Sequence, residues 1–173
     1  MRNFLILLSL LALQASGCHD EKRQQVHVSQ AEIQEDLIAY NRKKVERENS
    51  TIEHYNDSLN LGMQKSPTGL RYVIDHTGEG DSISFGSKIE VNYSIYLLDS
   101  TLCYSSDLTG TRMFSVEESD EMPGMHELVQ RMRVGDKARG ILPSRLGYGF
   151  TGDIERIPQD AVLLIDVHVV RGL

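Results

Sequence analysis

Three patterns of apolar and polar positions follow one another along the chain. An apolar run occupies Phe4 to about Leu13. From Ser29 to roughly Leu59 the sequence is polar and free of glycine and proline, with Ala31, Ile38, Val45, Ile52 and Leu59 recurring every seven residues. That spacing predicts a helix, and Ser29-x-x-Glu32 and Ser50-x-x-Glu53 both fit a capping box. The positions three further on are Gln34, Asn41, Glu48 and Tyr55, so the stripe is narrower than a coiled-coil seam, which needs both rows apolar. Three readings of this arm stay open: a solvated spacer interrupted at Ser50, a dimerisation helix, or a helix docked on the rest of the chain.

Turn chemistry in "GMQKSPTG", Gly62 to Gly69, marks a boundary, and beyond it the period becomes two. "LRYVI", "KIEVNYSIYLL", "MFSV", "KARGILP" and "AVLLIDVHVV" read as strands of β-branched and aromatic residues. One short helix interrupts them, about Gly124 to Met132, with Met125, Leu128, Val129 and Met132 on one face. The expected class is α+β: a curved antiparallel sheet wrapped around one short helix, preceded by an N-terminal helical arm. The predicted boundaries are a leader at 1–17, a tether at 18–28, the arm at 29–61, a linker at 62–67 and the sheet domain at 68–173.

Composition narrows the function classes. With 173 residues, 40% of them hydrophobic, the chain supports one core. A net charge of -7 and the lack of a basic face argue against nucleic acid. The start, "MRNFLILLSLLALQASGC", has one positive charge at Arg2, a short apolar run and small residues up to Cys18, which reads as an export signal. Its end resembles the lipobox of bacterial lipoproteins, which implies lipidation of Cys18 and a lipid-anchored protein. The expected location is the bacterial cell envelope, at the outer membrane, on its periplasmic face or its surface. Asp20-Glu21 resembles the surface-export signals of some Bacteroidetes lipoproteins.

With Cys18 lipidated, Cys103 has no cysteine partner and reads as a small buried hydrophobe. The acidic run Glu117, Glu118, Asp120 and Glu121 lacks the alternation of a calcium loop and reads as a solvated rim. The six histidines show no metal spacing and read as exposed or half-buried. No metal or cofactor is implied.

Between Thr68 and Leu173 the order of motifs resembles the FKBP-type peptidyl-prolyl cis-trans isomerases. The matching pieces are "TGLRYVI" before "GEG", "VNYSIYLLDS", "YSS", "MPGM", "RMRVGDKARGILPSRLGYG" and "IPQDAVLLIDVHVV". The stretch "NRKKVERENSTIEHYNDSLNLGMQKSPTGLRYVI" further resembles the FKBP-like lipoproteins linked to gliding motility in Bacteroidetes. The resemblance implies a pocket floored by the start of the short helix and overhung by the glycine-rich turn.

Carried over by position, Tyr93 is a wall tyrosine, Tyr148 the overhanging hydroxyl donor, and Met122 a floor residue with a usable main-chain N–H. Phe114 is a wall phenylalanine, and Ile157 opens the Ile-Pro-Gln that stands where the family has Ile-Pro-Pro. Four positions depart: Cys103 replaces an aromatic, Tyr104 a buried aspartate, Met125 the floor tryptophan and Ile165 a phenylalanine. The implied chemistry needs no nucleophile, since the barrier is the ~18–20 kcal/mol of peptide-bond rotation and an apolar cavity favours the twisted amide. Methionine for tryptophan removes ~50 Å² of contact, about 1 kcal/mol, and the lost carboxylate about 1–3 kcal/mol more. Together these predict a rate reduced roughly 30- to 1000-fold.

Two functions remain. One is an envelope-anchored, weakly active isomerase or folding helper for proline-containing segments of exported proteins. The other is a non-catalytic module that binds a peptide or partner in an envelope or motility machine. A homodimer through the helical arm is a further expectation.

Overall fold

The computed structural model describes residues 29–173. The leader, the tether and Cys18 lie outside the described residues. Helix α1 spans Gln30–Ser58. The strands are β1 (Gln64–Lys65), β2 (Arg71–Asp75), β3 (Lys88–Leu97), β4 (Leu102–Ser105), β5 (Arg112–Ser115), β6 (Lys137–Leu142) and β7 (Leu163–Gly172). A single turn, α2, covers Ser106–Thr109, helix α3 covers Pro123–Val129, and a 3-10 turn covers Ser144–Leu146.

The sheet runs β1-β2-β6-β7-β3-β4 with β5 on the remaining part of β3, and all pairings are antiparallel. Alternation places Ile89, Val91, Tyr93 and Ile95 of β3 inward, beside Leu163, Ile165, Val167 and Val169 of β7. Against this concave face α3 buries Met125, Leu128 and Val129. The approach is close enough that two contact positions have no side chain. A Cβ on Gly124 would lie 2.3 Å from Leu142 Cδ2, and one on Gly140 would lie 3.2 Å from Ile165 and 3.4 Å from Leu128. Pro123 at the first helical position starts α3 without losing a hydrogen bond.

The Ser29 capping box forms: Ser29 N–H donates to Glu32 at 2.9 Å, and Glu32 N–H donates to Ser29 Oγ at 3.1 Å. Ser50 does not break the helix; its hydroxyl donates back to the Glu46 carbonyl at 3.0 Å. Residues 30–38 are helical with exposed side chains. Ala39–Leu173 forms one compact unit. Within it the rest of α1 is not a solvated spacer, because Ile52 is fully buried and Glu48 nearly so. The docking face follows Lys44, Glu48 and Ile52 at four-residue spacing, a row on which only one of the three residues is apolar. Arg71 on β2 is buried beneath it, donating to Asn49 at 3.2 Å, Glu53 at 2.5 Å and the Gly69 carbonyl at 2.5 Å.

His126 corrects the reading of the histidines. It is buried on α3, its Nδ1 accepts from Glu117 N–H at 3.1 Å and its Nε2 lies 3.2 Å from the Ser119 carbonyl. That pairing fixes the neutral Nε2–H tautomer.

Candidate functional site

A cleft of about 570 Å³ opens at the start of α3, between β5 and the loop after the 3-10 turn. Phe114 walls one side, Met122 and Pro123 form the floor, and Tyr148 closes the opposite side. Phe114 is held edge-on to His126, with ring centroids 5.5 Å apart. Met122 is the residue before the helix and is buried. Burial pushes the Tyr148 phenol up, with the Arg112 charge working the other way.

Arg112 and Glu121 dominate the polar side of this cleft. Arg112 Nη1 donates to Glu121 Oε2 at 2.8 Å, and Nη2 donates to the Tyr93 hydroxyl oxygen at 3.0 Å. Its guanidinium carbon lies 4.3 Å from the Tyr93 ring centroid. Burial opposes the Arg112 charge, but Glu121 outweighs it and holds the pKa above the ordinary value. The other Glu121 oxygen accepts the Met122 N–H at 3.0 Å. The main-chain donor expected to be usable is therefore engaged by the protein's own carboxylate. Glu121 is no member of a solvated rim: its side chain is 9% exposed.

Tyr93 is committed as well. Its hydroxyl lies 3.0 Å from Thr109 Oγ1, which itself donates to the Ser105 carbonyl at 3.0 Å. The proton order is thus Arg112 to Tyr93 to Thr109 to Ser105.

The remaining sequence-predicted residues stand behind or beside the cleft. Met125, Ile165, Cys103 and Ile157 are buried in the main core cluster. Burial pushes the Cys103 thiol up, and Asp153 adds to the effect. Tyr104 is half-buried; its hydroxyl donates to Asp153, and the Arg156 guanidinium lies 5.2 Å from its ring. Asp153 Oδ1 also accepts the N–H groups of Glu155, Arg156 and Ile157 at 3.0, 2.8 and 2.7 Å. Burial would raise this carboxyl, but the Tyr104 bond and those amides outweigh it and bring it to about 2. The same bond pushes the Tyr104 phenol up to about 12.

Sequence reasoning missed Arg112, Glu121 and Asp153. A signal existed for the first, since Arg112 is the only lysine or arginine between Lys88 and Arg131. A larger groove of about 700 Å³ lies on the outer face of β2, β3, β6 and β7. Of the charged side chains that line it, Arg139 and Asp166 pair with each other at 2.7 Å; Tyr93 lines this groove, whereas Phe114 and Tyr148 line the α3 cleft.

Residues 80–170, more than half of the chain, match the family model of the FKBP-type peptidyl-prolyl cis-trans isomerases. The chain belongs to this family. Among FKBP-family relatives, FkpA of Buchnera aphidicola from Acyrthosiphon pisum is 29% identical over 115 residues, covering 65% of this chain and 47% of that protein. The probable FkpA of Neisseria meningitidis is 32% identical over 110 residues, covering 64% and 40%. The chain thus matches less than half the length of these relatives. The crystal structure of Escherichia coli FkpA superposes with a TM-score of 0.60 at 22% identity, over 99% of this chain and 82% of that one. AtFKBP13 superposes with a TM-score of 0.61 at 24% identity, over 64% and 98%. These likenesses place the FKBP fold on this chain.

Proposed function

We propose that the α3 cleft binds proline-containing segments of exported chains and accelerates their cis-trans isomerisation weakly, in the manner of a folding helper. The observation that carries this is the cleft itself: Phe114, Met122 and Tyr148 enclose a hollow at the start of α3 in a chain of the FKBP family. A proline ring seated there meets apolar and aromatic walls, and the Tyr148 hydroxyl stands ready to donate to a carbonyl. Peptide-bond rotation is opposed by resonance, and the apolar part of the cleft at Phe114, Met122 and Pro123 favours the twisted, less charge-separated amide, while Arg112, Ser119, Asp120 and Glu121 keep the rest of it polar. The activity is low because the Met122 N–H is already bonded to Glu121, and because Met125, at the position matching the floor tryptophan, is buried in the core.

A second reading, a binding module without catalysis, is favoured by that same occupied N–H. The two are separated by following X-Pro isomerisation in a short peptide with the whole chain. Acceleration that falls on Tyr148→Phe supports the first, and binding without acceleration supports the second.

The envelope setting rests on the leader and on the lipobox-like Ala15-Ser16-Gly17-Cys18. We place the protein at the outer membrane, anchored by lipid on Cys18, among lipoproteins of the gliding-motility type. Dimer formation through the exposed apolar residues Ile33, Leu37 and Ile38 of α1 is part of this reading. Cys18→Ala should shift the protein to the soluble envelope fraction or leave it as a precursor. Normal processing and membrane retention of that variant would remove the anchor from the account.

A further inference from the structure

We propose that α1 is a positioning element for the cleft, acting through Glu48 on the loop that carries Tyr148. The inference rests on the cleft being the peptide site, although part of its test does not.

A carboxylate buried on a helix face is costly unless both oxygens are satisfied. Glu48 is 9% exposed; both its oxygens bond Ser144, and Oε1 also lies 3.9 Å from Lys44 Nζ on the same helix. Oε1 accepts the Ser144 hydroxyl at 2.7 Å, and Oε2 accepts the Ser144 N–H at 3.1 Å. Ser144 is itself 1% exposed and opens the 3-10 turn. Its carbonyl accepts Gly147 N–H at 3.0 Å and Gly149 N–H at 2.9 Å, the two residues that flank Tyr148. The Gly149 carbonyl in turn accepts Asp160 N–H at 3.0 Å, and the Asp160 carboxylate pairs with Lys44, one turn before Glu48.

Both ends of the segment carrying Tyr148 are therefore tied to one face of α1. Tyr148 itself is bonded to the helix nowhere, so α1 acts through the loop. The turn's first N–H and hydroxyl are given to a helix 96 residues earlier in the chain. Any partner that shifts α1 thus reaches the cleft without touching it.

The test uses the whole chain with Glu48→Leu and Glu48→Gln. Glutamine retains an oxygen for the Ser144 N–H and an amide that can donate to its hydroxyl; leucine retains neither. Amide hydrogen exchange at Gly147, Gly149 and Asp160 should rise about tenfold or more in Glu48→Leu, with β3 and β7 still protected. Exchange in Glu48→Gln should stay near the parent. A proline-containing tetrapeptide should bind Glu48→Leu about tenfold more weakly, with KM raised more than kcat is lowered. If Glu48→Leu does not fold, Ser144→Ala removes the hydroxyl while leaving the helix intact and should show the same loop exchange in milder form. Unchanged exchange at the three amides overturns the inference, as does a loosened loop with undiminished peptide affinity. If the parent binds no proline peptide, the reading of the cleft fails, and loop exchange alone still decides whether α1 holds the loop.

Discussion

Arg112 lies over Tyr93, its guanidinium carbon 4.3 Å from the ring centroid and its Nη2 donating to the phenol oxygen at 3.0 Å. The same guanidinium is paired to Glu121 at 2.8 Å, so a wall of the cleft is an ion pair stacked on an aromatic ring. Two charged groups that line the cleft are thus bonded to each other, and Tyr93, which is not part of its lining, is bonded to one of them.

Arg112→Met should destabilise the fold by about 1–3 kcal/mol, because Glu121 is left with an unpaired, nearly buried carboxylate. Arg112→Met with Glu121→Gln should recover most of the loss, a coupling that urea unfolding of the four proteins measures. Additive losses would show that the pair is not a unit.

Tyr104 and Asp153 predict two pH limits for the loop at 153–157. The Asp153 carboxyl is held at about 2, below its ordinary 3.8, so its contribution is complete above about pH 4 and is lost as pH falls toward 2. The Tyr104 phenol is raised from 10.0 to about 12, so its contribution is complete below pH 10 and is lost as pH rises through 12. Asp153→Asn should flatten the acid slope of stability between about pH 4 and 2. Tyr104→Phe should remove the last tyrosinate step from an absorbance titration. An Asp153→Asn protein with the parent's acid slope would contradict this.

Met125→Trp should lower stability by about 1–3 kcal/mol and fail to restore an aromatic floor. Met125 is fully buried on a helix that already presses Gly124 against Leu142, which leaves no volume for the larger ring. Thermal unfolding reads the loss directly. A stable variant with faster isomerisation would mean the core opens at this point.

A chain beginning at Lys65 should unfold roughly 10 °C or more below the full chain. Removing α1 exposes the seat of Ile52 and takes Asn49 and Glu53 from buried Arg71 and Glu48 from buried Ser144. Each such loss is worth about 1–3 kcal/mol. Equal melting temperatures would restore the solvated-spacer reading of α1.

The strands were legible because β-branched alternation in a half-buried sheet is a local signal, and β3 and β7 appear almost as their apolar pattern predicts. The docking of α1 was not, because its contact row contains Lys44 and Glu48 and only their partners 96 or more residues away make it an interface. The cleft was legible by position at Phe114, Met122 and Tyr148. Its electrostatics were not: Arg112 and Glu121 meet only because β5 and the start of α3 face each other, and nothing in the local sequence of either reports that. Tyr104 carried a readable substitution whose partner, Asp153, lies 49 residues further on.

The central claim is that proline-containing peptide occupies the α3 cleft. It is tested most directly by titrating the isotopically labelled full chain with a short X-Pro peptide and mapping the amide shifts. The account predicts saturable shifts centred on Phe114, Met122 and Tyr148, extending to Tyr93 and Arg112. Shifts confined to the outer groove around Val73, Arg139 and Asp166, or no shifts at peptide concentrations that saturate an FKBP of known activity, would contradict it.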